Sequence, residues 1–158
     1  MKKLRIDQTL FDMAFERDMD YHDVYPQSVY LDRETGEILW VFMSDEDADL
    51  DGTPPEQNRA KRLAVETEPQ RYIEIPGRSH GEHHDILQDF LVSDWTEDEG
   101  KKAFALGAYT RSIGRWKKAM EDAGEYEIVY AWHNFKDEAL KSERDDFLRE
   151  RGIEPIWV

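Results

Sequence analysis

The sequence predicts an α+β fold in which a small antiparallel sheet is covered by helices. Two β-rich runs separated by a short turn that contains Gly36 predict a hairpin over residues 28–43. Further strands are predicted near 70–75, where apolar and polar residues alternate, and near 126–132, which is rich in β-branched and aromatic residues. A chain of 158 residues has the length of one domain, so we expect a single α+β domain over residues 1–158.

The predicted helices follow apolar residues at helical spacing in five segments. Asp7 and Asp137 are typical N-cap residues for the first and last of them. Gly107 and Gly114 are expected to break or bend the fourth, and Gly152 to end the fifth. The helical segments are 7–19, 55–66, 83–92, 101–120 and 137–151, and an extended segment follows at 153–158.

The net charge of −15 is confined to the first hundred residues. Residues 1–100 contain 10 Lys and Arg against 25 Asp and Glu, whereas residues 101–158 contain 11 of each. A field of one sign recruits groups of opposite charge, so we expect an acidic surface that binds a basic protein partner. Nucleic-acid binding over most of this surface is disfavoured because carboxylates repel phosphates.

The composition excludes several classes of function. The chain has no cysteine, which excludes a disulfide framework, a thiol nucleophile and a thiolate metal site. No apolar run approaches the ~20 residues of a membrane span, so we expect a soluble cytoplasmic protein. A P-loop, a dinucleotide fingerprint and a Gly-x-Ser-x-Gly nucleophile motif are all absent. No catalytic residue is therefore assigned, and the expectation leans away from an enzyme.

An acidic loop is predicted over residues 44–57. Asp47, Asp49 and Asp51, followed by a glycine, fit the pattern D-x-D-x-D-G, in which alternate carboxylates converge on calcium. The closing glutamate of that pattern is replaced by Asn58. A solvated acidic loop is therefore favoured over a calcium site.

A histidine cluster is a second candidate metal site. His80 and His84, four residues apart, would share one helix face and could ligate zinc or another divalent ion. His83 lies beside them, and a third ligand would come from His22, His133 or a carboxylate. The H-x-x-H-H pattern lacks the glutamate of H-E-x-x-H, so polar side chains near a helix start are the favoured interpretation.

A basic stripe is a candidate anion site. Arg111, Arg115 and Lys118 are spaced to align on one helical face, and Lys117 lies close by. Guanidinium groups suit phosphate or carboxylate, and a neighbouring tryptophan could stack on a nucleic-acid base. Ion pairs within the molecule, or interaction with the helix dipole, are the favoured interpretation.

The order of several segments resembles a bacterial group called Uncharacterised Protein Family 0158. Those segments are 30–38, 71–76, 115–117, 132–140, 147–148 and 152–154, with an acidic stretch after the first. The resemblance implies a small cytoplasmic α+β protein without an established activity, so no catalytic residue is carried over. The family's Gly-Ala-Phe-Arg-Arg-Phe-Lys-Asp segment is matched by residues 111–118, where Gly114 replaces an arginine and Lys118 an aspartate.

The leading functional hypothesis is a binding or adaptor module for a basic protein partner, without a cofactor. One alternative is a metal-dependent enzyme that holds calcium or zinc and acts on a phosphate-containing substrate gripped by Arg111 and Arg115. Another is a protein that contacts RNA through the stripe Arg111–Lys118.

Overall fold

A computed structural model describes residues 1–19 and 25–158 and confirms the α+β class. The chain divides into two compact units, of which unit 1 comprises Met1–Arg78 and Arg144–Val158, and unit 2 comprises Ser79–Glu143. The expectation of a single domain stays a prediction. The elements in chain order are β1 (Lys2–Ile6), α1 (Gln8–Glu16), β2 (Gln27–Asp32), β3 (Ile38–Phe42), α2 (Asp45–Leu50), α3 (Pro55–Thr67), β4 (Tyr72–Glu74), α4 (His80–Val92), α5 (Glu99–Gly107), α6 (Ile113–Asp122), α7 (Tyr126–Glu150) and β5 (Ile153–Trp157).

The predicted hairpin and the strand after it form a three-stranded antiparallel sheet in unit 1. Its strand order is β3-β2-β4, with Val29 opposite Trp40 and Leu31 opposite Ile73. The hairpin turn requires Gly36, whose φ of +79° is open to glycine. A Cβ atom at this position would lie 1.9 Å from the carbonyl oxygen of Arg5.

Unit 1 also contains a parallel strand pair that the sequence analysis did not predict. Strand β1 pairs with β5, from Lys2 opposite Ile153 to Ile6 opposite Trp157. The extended segment predicted at the end of the chain is thus a strand. The buried residues of the unit 1 core are Leu4, Ile6, Phe11, Ala14, Phe15, Val29, Leu31, Ile75, Phe147, Leu148 and Ile153.

Unit 2 is helical and has a core of its own. Trp116 is completely buried there, and its indole Nε1 donates to the carbonyl oxygen of Ala105 at 2.9 Å. The core residues are Ile86, Leu87, Phe90, Leu91, Ala105, Trp116, Met120, Ile128, Val129, Trp132 and Leu140. Among the helices of the described ranges, none is long and apolar enough to cross a membrane.

The strand predicted near 126–132 is wrong, because these residues begin helix α7. The prediction relied on β-branched and aromatic residue types. The buried residues Ile128, Val129 and Trp132 lie instead at the spacing of one helix face. Asp137, predicted as an N-cap, consequently lies inside the helix.

The acidic loop predicted over residues 44–57 is also wrong, since helix α2 occupies its middle and α3 begins at Pro55. Ser44 caps α2, and its Oγ accepts from the amide of Asp47 at 3.1 Å. Glu46 and Asp47 in the first turn also favour a helix, because carboxylates there interact well with the helix dipole. The same residues that suggested a calcium loop therefore start a helix.

The helix predicted over 101–120 is two helices, α5 and α6. The break follows Gly107, as expected, whereas Gly114 lies inside α6. The predicted segments 7–19, 55–66 and 83–92 correspond to α1, α3 and α4 with shifted ends.

Candidate protein-binding surface

Asp45 joins helix α2 to helix α3. Its Oδ1 accepts from Arg62 Nη1 at 2.9 Å and from Asn58 Nδ2 at 3.1 Å. Its Oδ2 accepts from Arg62 Nη2 at 3.2 Å and from Arg59 Nε at 3.3 Å. The hydrogen bonds from Arg62 and Asn58 lower the pKa of Asp45 to about 2, so the carboxylate is ionised at neutral pH.

Asn58 extends the same connection to the sheet. The residue is completely buried. Its Oδ1 accepts from the amide of Phe42 at 2.8 Å, and its Nδ2 donates to the carbonyl oxygen of Phe42 at 3.2 Å. The side chain thus forms hydrogen bonds with both the N–H and the C=O group of the last residue of β3, as a neighbouring strand would. In the sequence, Asn58 stands out only as the residue in place of a calcium ligand, and its position within an amphipathic helix was the one signal of this role.

The exposed face of α2 carries acidic residues around an apolar side chain. Ala48 is fully buried against the unit, and Glu46, Asp49 and Leu50 lie on the opposite side of the helix at spacings of three and four residues. Leu50 is 69% exposed.

We define the acidic surface as Glu46, Asp47, Asp49, Asp51 and Glu56. Within residues 1–19 and 25–158, none of these five carboxylates forms an ion pair. The arginines of α3 that lie nearest in sequence, Arg59 and Arg62, both bind Asp45 instead. Within the described ranges, no cation of the chain therefore offsets the charge of the acidic surface.

Other acidic residues of unit 1 are neutralised by the chain's own arginines. Asp32 is 2% exposed and binds Arg71, with Oδ2 2.8 Å from Nη2. Arg144, which is 5% exposed, binds Asp12 with 3.0 Å between Nη1 and Oδ1. A cavity of about 610 Å³ beside Arg71 is lined by two arginines and two glutamates, so its charges balance. The carboxylates of the acidic surface thus differ from these carboxylates, which form buried or half-buried ion pairs.

The structure does not bring the predicted calcium ligands together. Asp47 and Asp49 lie within α2, and Asp51 is its C-cap residue. Side chains two residues apart on a helix do not face each other, so the alternation that suits a loop separates them here. Across the described part of the chain, no group of three or more histidines or carboxylates is arranged to hold a metal ion.

The structure does bring His80 and His84 together, on the first two turns of α4. Their Nε2 atoms are 2.9 Å apart, and Nδ1 of His84 forms a hydrogen bond with the hydroxyl of Tyr109. His133 lies on α7, where burial and then the charges of two lysines lower its pKa. His22, a proposed third ligand, lies outside the described residues.

The basic stripe does not form one helical face. Arg111 precedes the cap residue of α6 and has a φ of 63°, so only Arg115, Lys117 and Lys118 lie on the helix. Lys117 lies 3.9 Å from Glu121 and Lys118 lies 2.8 Å from Asp122, one turn further along. The hydrogen bond with Asp122 also raises the pKa of Lys118. Two of the four cations therefore pair within their own helix.

Comparison with known families agrees with the resemblance of the segments. The model of a family described as Uncharacterised protein family (UPF0158) matches residues 2–157. No curated protein matches the chain, and no solved structure does.

Proposed function

Because the chain belongs to the uncharacterised protein family UPF0158, we propose its function from the site alone: it is a binding module that engages a basic protein partner through the acidic surface. The observation that carries this proposal is the unpaired charge of that surface. The arginines nearest to it bind Asp45. The carboxylates that remain are the groups that a Lys- or Arg-rich segment would meet. We place this encounter in the cytoplasm.

The rigidity of α2 supports the same proposal. A six-residue helix is too short to persist on its own. Asp45 and Asn58 hold α2 against α3 and β3, so its exposed carboxylates keep fixed positions before a partner arrives. Binding to a preorganised surface loses less conformational entropy than binding to a mobile loop.

Leu50 supplies an apolar contact among the charges. Its side chain is exposed and shares a helix face with Glu46 and Asp49. A partner segment that combines basic residues with one apolar side chain would complement both features. Charge would set the rate of encounter, and the apolar contact would slow dissociation.

To test the proposal, the protein is immobilised and the partner proteins that it captures are identified. The captured proteins are then compared between two variants that have lost the same number of charges. The α2 variant carries Glu46→Gln, Asp49→Asn, Asp51→Asn and Glu56→Gln. The control variant carries Asp89→Asn, Glu97→Gln, Asp137→Asn and Glu138→Gln, which are exposed positions of unit 2. Both variants remove four negative charges from the net charge of −15, so they differ only in where the charge is lost.

We expect wild type and control variant to retain the same basic protein at ~0.1 M salt. Both should release it as the salt concentration approaches ~1 M, because the Debye screening length then shortens to roughly 3 Å. The α2 variant should not retain it at either concentration. Equal retention by the α2 variant would refute the proposal, as would capture that does not change with salt. Circular dichroism of each variant confirms that the helices are intact.

A further inference from the structure

Two histidines of α4 lie in direct contact on the surface of unit 2. The Nε2 atoms of His80 and His84 are 2.9 Å apart, and the two rings meet edge to face with centroids 4.5 Å apart. We propose that these two nitrogens form a binding site for a divalent transition-metal ion that takes ligands at right angles, with Ni²⁺ as the representative ion. This site is independent of the acidic surface.

The separation of the nitrogens suits a right-angle coordination geometry. Imidazole nitrogens bind such ions at about 2.0–2.1 Å, so two nitrogens 2.9 Å apart subtend an angle of about 90° at a shared ion. That is the angle between neighbouring ligands in octahedral and square-planar complexes, which Ni²⁺ and Cu²⁺ adopt. A tetrahedral ion such as Zn²⁺ would require the nitrogens to separate to about 3.3 Å.

The surroundings of the pair fix its orientation. Ser79 caps α4, and its Oγ accepts from the amide of Glu82 at 3.1 Å, so His80 is held in the first helical turn. The other ring nitrogen of His84, Nδ1, bonds to the hydroxyl of Tyr109. When Nδ1 donates that bond, the lone pair of His84 Nε2 points to His80. A partner on the second ring nitrogen likewise fixes the tautomer of a metal-binding histidine, and on binding the His84 ring turns so that its lone pair meets the ion instead of His80.

A bound metal ion displaces the proton that the two rings share, and it lies beside the line joining the two Nε2 atoms rather than on it, because it is about 2.0–2.1 Å from each. In the metal-free pair one Nε2 atom donates and the other accepts, so a single proton lies between them. With the ion bound, both Nε2 atoms offer lone pairs and His80 carries its proton on Nδ1. His80 is exposed, so water can move that proton and can fill the remaining coordination positions.

Isothermal titration of tag-free protein with NiCl₂ tests the site. We expect one Ni²⁺ per chain and a loss of affinity of at least about tenfold in His80→Ala, because one ligand is removed. Tyr109→Phe should also weaken binding, by about tenfold, because His84 loses its orienting partner. His83→Ala, on the same helix but outside the pair, is the matched control and should bind as wild type does.

A second measurement does not depend on the variants folding. Paramagnetic Ni²⁺ should broaden the imidazole NMR signals of His80 and His84 in wild-type protein while the signals of His133 persist. Equal affinity of wild type and His80→Ala would overturn the proposal, and so would broadening that spares His84. Zn²⁺ binding that is tighter than Ni²⁺ binding would overturn the right-angle geometry.

Discussion

Asp32→Asn should destabilise unit 1 in a manner that depends on pH. The Asp32 carboxylate is 2% exposed and accepts four hydrogen bonds. Two come from Arg71, from Nε at 2.9 Å and Nη2 at 2.8 Å. The other two come from the amides of Glu34 at 2.9 Å and Thr35 at 3.4 Å, in the hairpin turn. Burial alone would raise the pKa of Asp32, but the bonds from Arg71 and these amides outweigh it and lower the pKa to about 2.

The size of the effect follows from the difference between the folded and unfolded pKa values. A pKa that falls from 3.8 to about 2 on folding corresponds to about 2.5 kcal/mol of stability at pH 7. This contribution is complete above the unfolded pKa and is lost as the pH falls toward the folded one. At pH 3 the same linkage leaves about 1.3 kcal/mol. Asp32→Asn keeps the shape of the side chain, removes its charge and replaces one acceptor oxygen by an NH2 donor.

Urea unfolding of wild type and Asp32→Asn at pH 7 and pH 3 measures this difference. The loss of unfolding free energy should be about 1.2 kcal/mol larger at pH 7 than at pH 3, because the lost acceptor oxygen adds the same amount at both pH values. Glu34→Gln is the matched control, because Glu34 lies 3.3 Å from the same arginine but is exposed, and exposed pairs contribute about 0–1 kcal/mol. Equal losses at the two pH values would refute the argument, since the linkage requires them to differ.

Four further substitutions test the backbone and the buried amide by urea unfolding. Arg111 has a φ of 63°, a backbone conformation that glycine adopts more easily, so Arg111→Gly should raise the unfolding free energy by about 0.5–1 kcal/mol. Arg115→Gly, within α6, is the control and should lower it by about 1 kcal/mol. A change of the same sign in both variants would contradict backbone strain at Arg111. Gly36→Ala should lower it by more than about 2 kcal/mol, because its Cβ would meet a carbonyl oxygen at 1.9 Å, and a smaller loss would show that the turn can adjust. Asn58→Leu should lower it by about 2–4 kcal/mol, because both backbone groups of Phe42 lose their partner, and a loss under about 1 kcal/mol would contradict that role.

Local patterns predicted the hairpin of unit 1 well. The turn at Gly36 and the strand residues on either side of it interact over a few positions, so residue type and spacing determine the pairing. The parallel pair of β1 and β5 could not be found in this way. Its residues lie at opposite ends of the chain, and the alternation of Leu4 and Ile6 is too short to indicate a partner.

Helix α7 shows a different reason for error. Residue types in its first turns favour a strand, but intrinsic strand preference is weak and depends on context. The spacing of Ile128, Val129 and Trp132, continued by Leu140, is helical, and all four are buried in the core of unit 2. Packing of that apolar face decided the structure, so spacing over many residues was the better signal here.

The candidate site was predicted in its charge but not in its structure. The excess of acidic residues before residue 100 was evident from the sequence, and so was the proximity of His80 and His84 on one helix. The connection of Asp45 and Asn58 was not evident, because it depends on how α2, α3 and β3 meet. Side-chain hydrogen bonds between distant elements leave no periodic pattern in a sequence.

The acidic residues of unit 1 fall into two groups with opposite physical consequences. Asp32 and Asp45 bind arginines and hold unit 1 together. The five residues of the acidic surface bind no described cation, and their mutual repulsion is unfavourable for folding in the isolated chain. Salt or a basic partner reduces that repulsion, whereas neither is needed by the buried pair of Asp32. The carboxylates that positive charge would stabilise are therefore separate from the charges that maintain the fold, and on our proposal a basic partner binds and leaves the acidic surface while the fold stays intact.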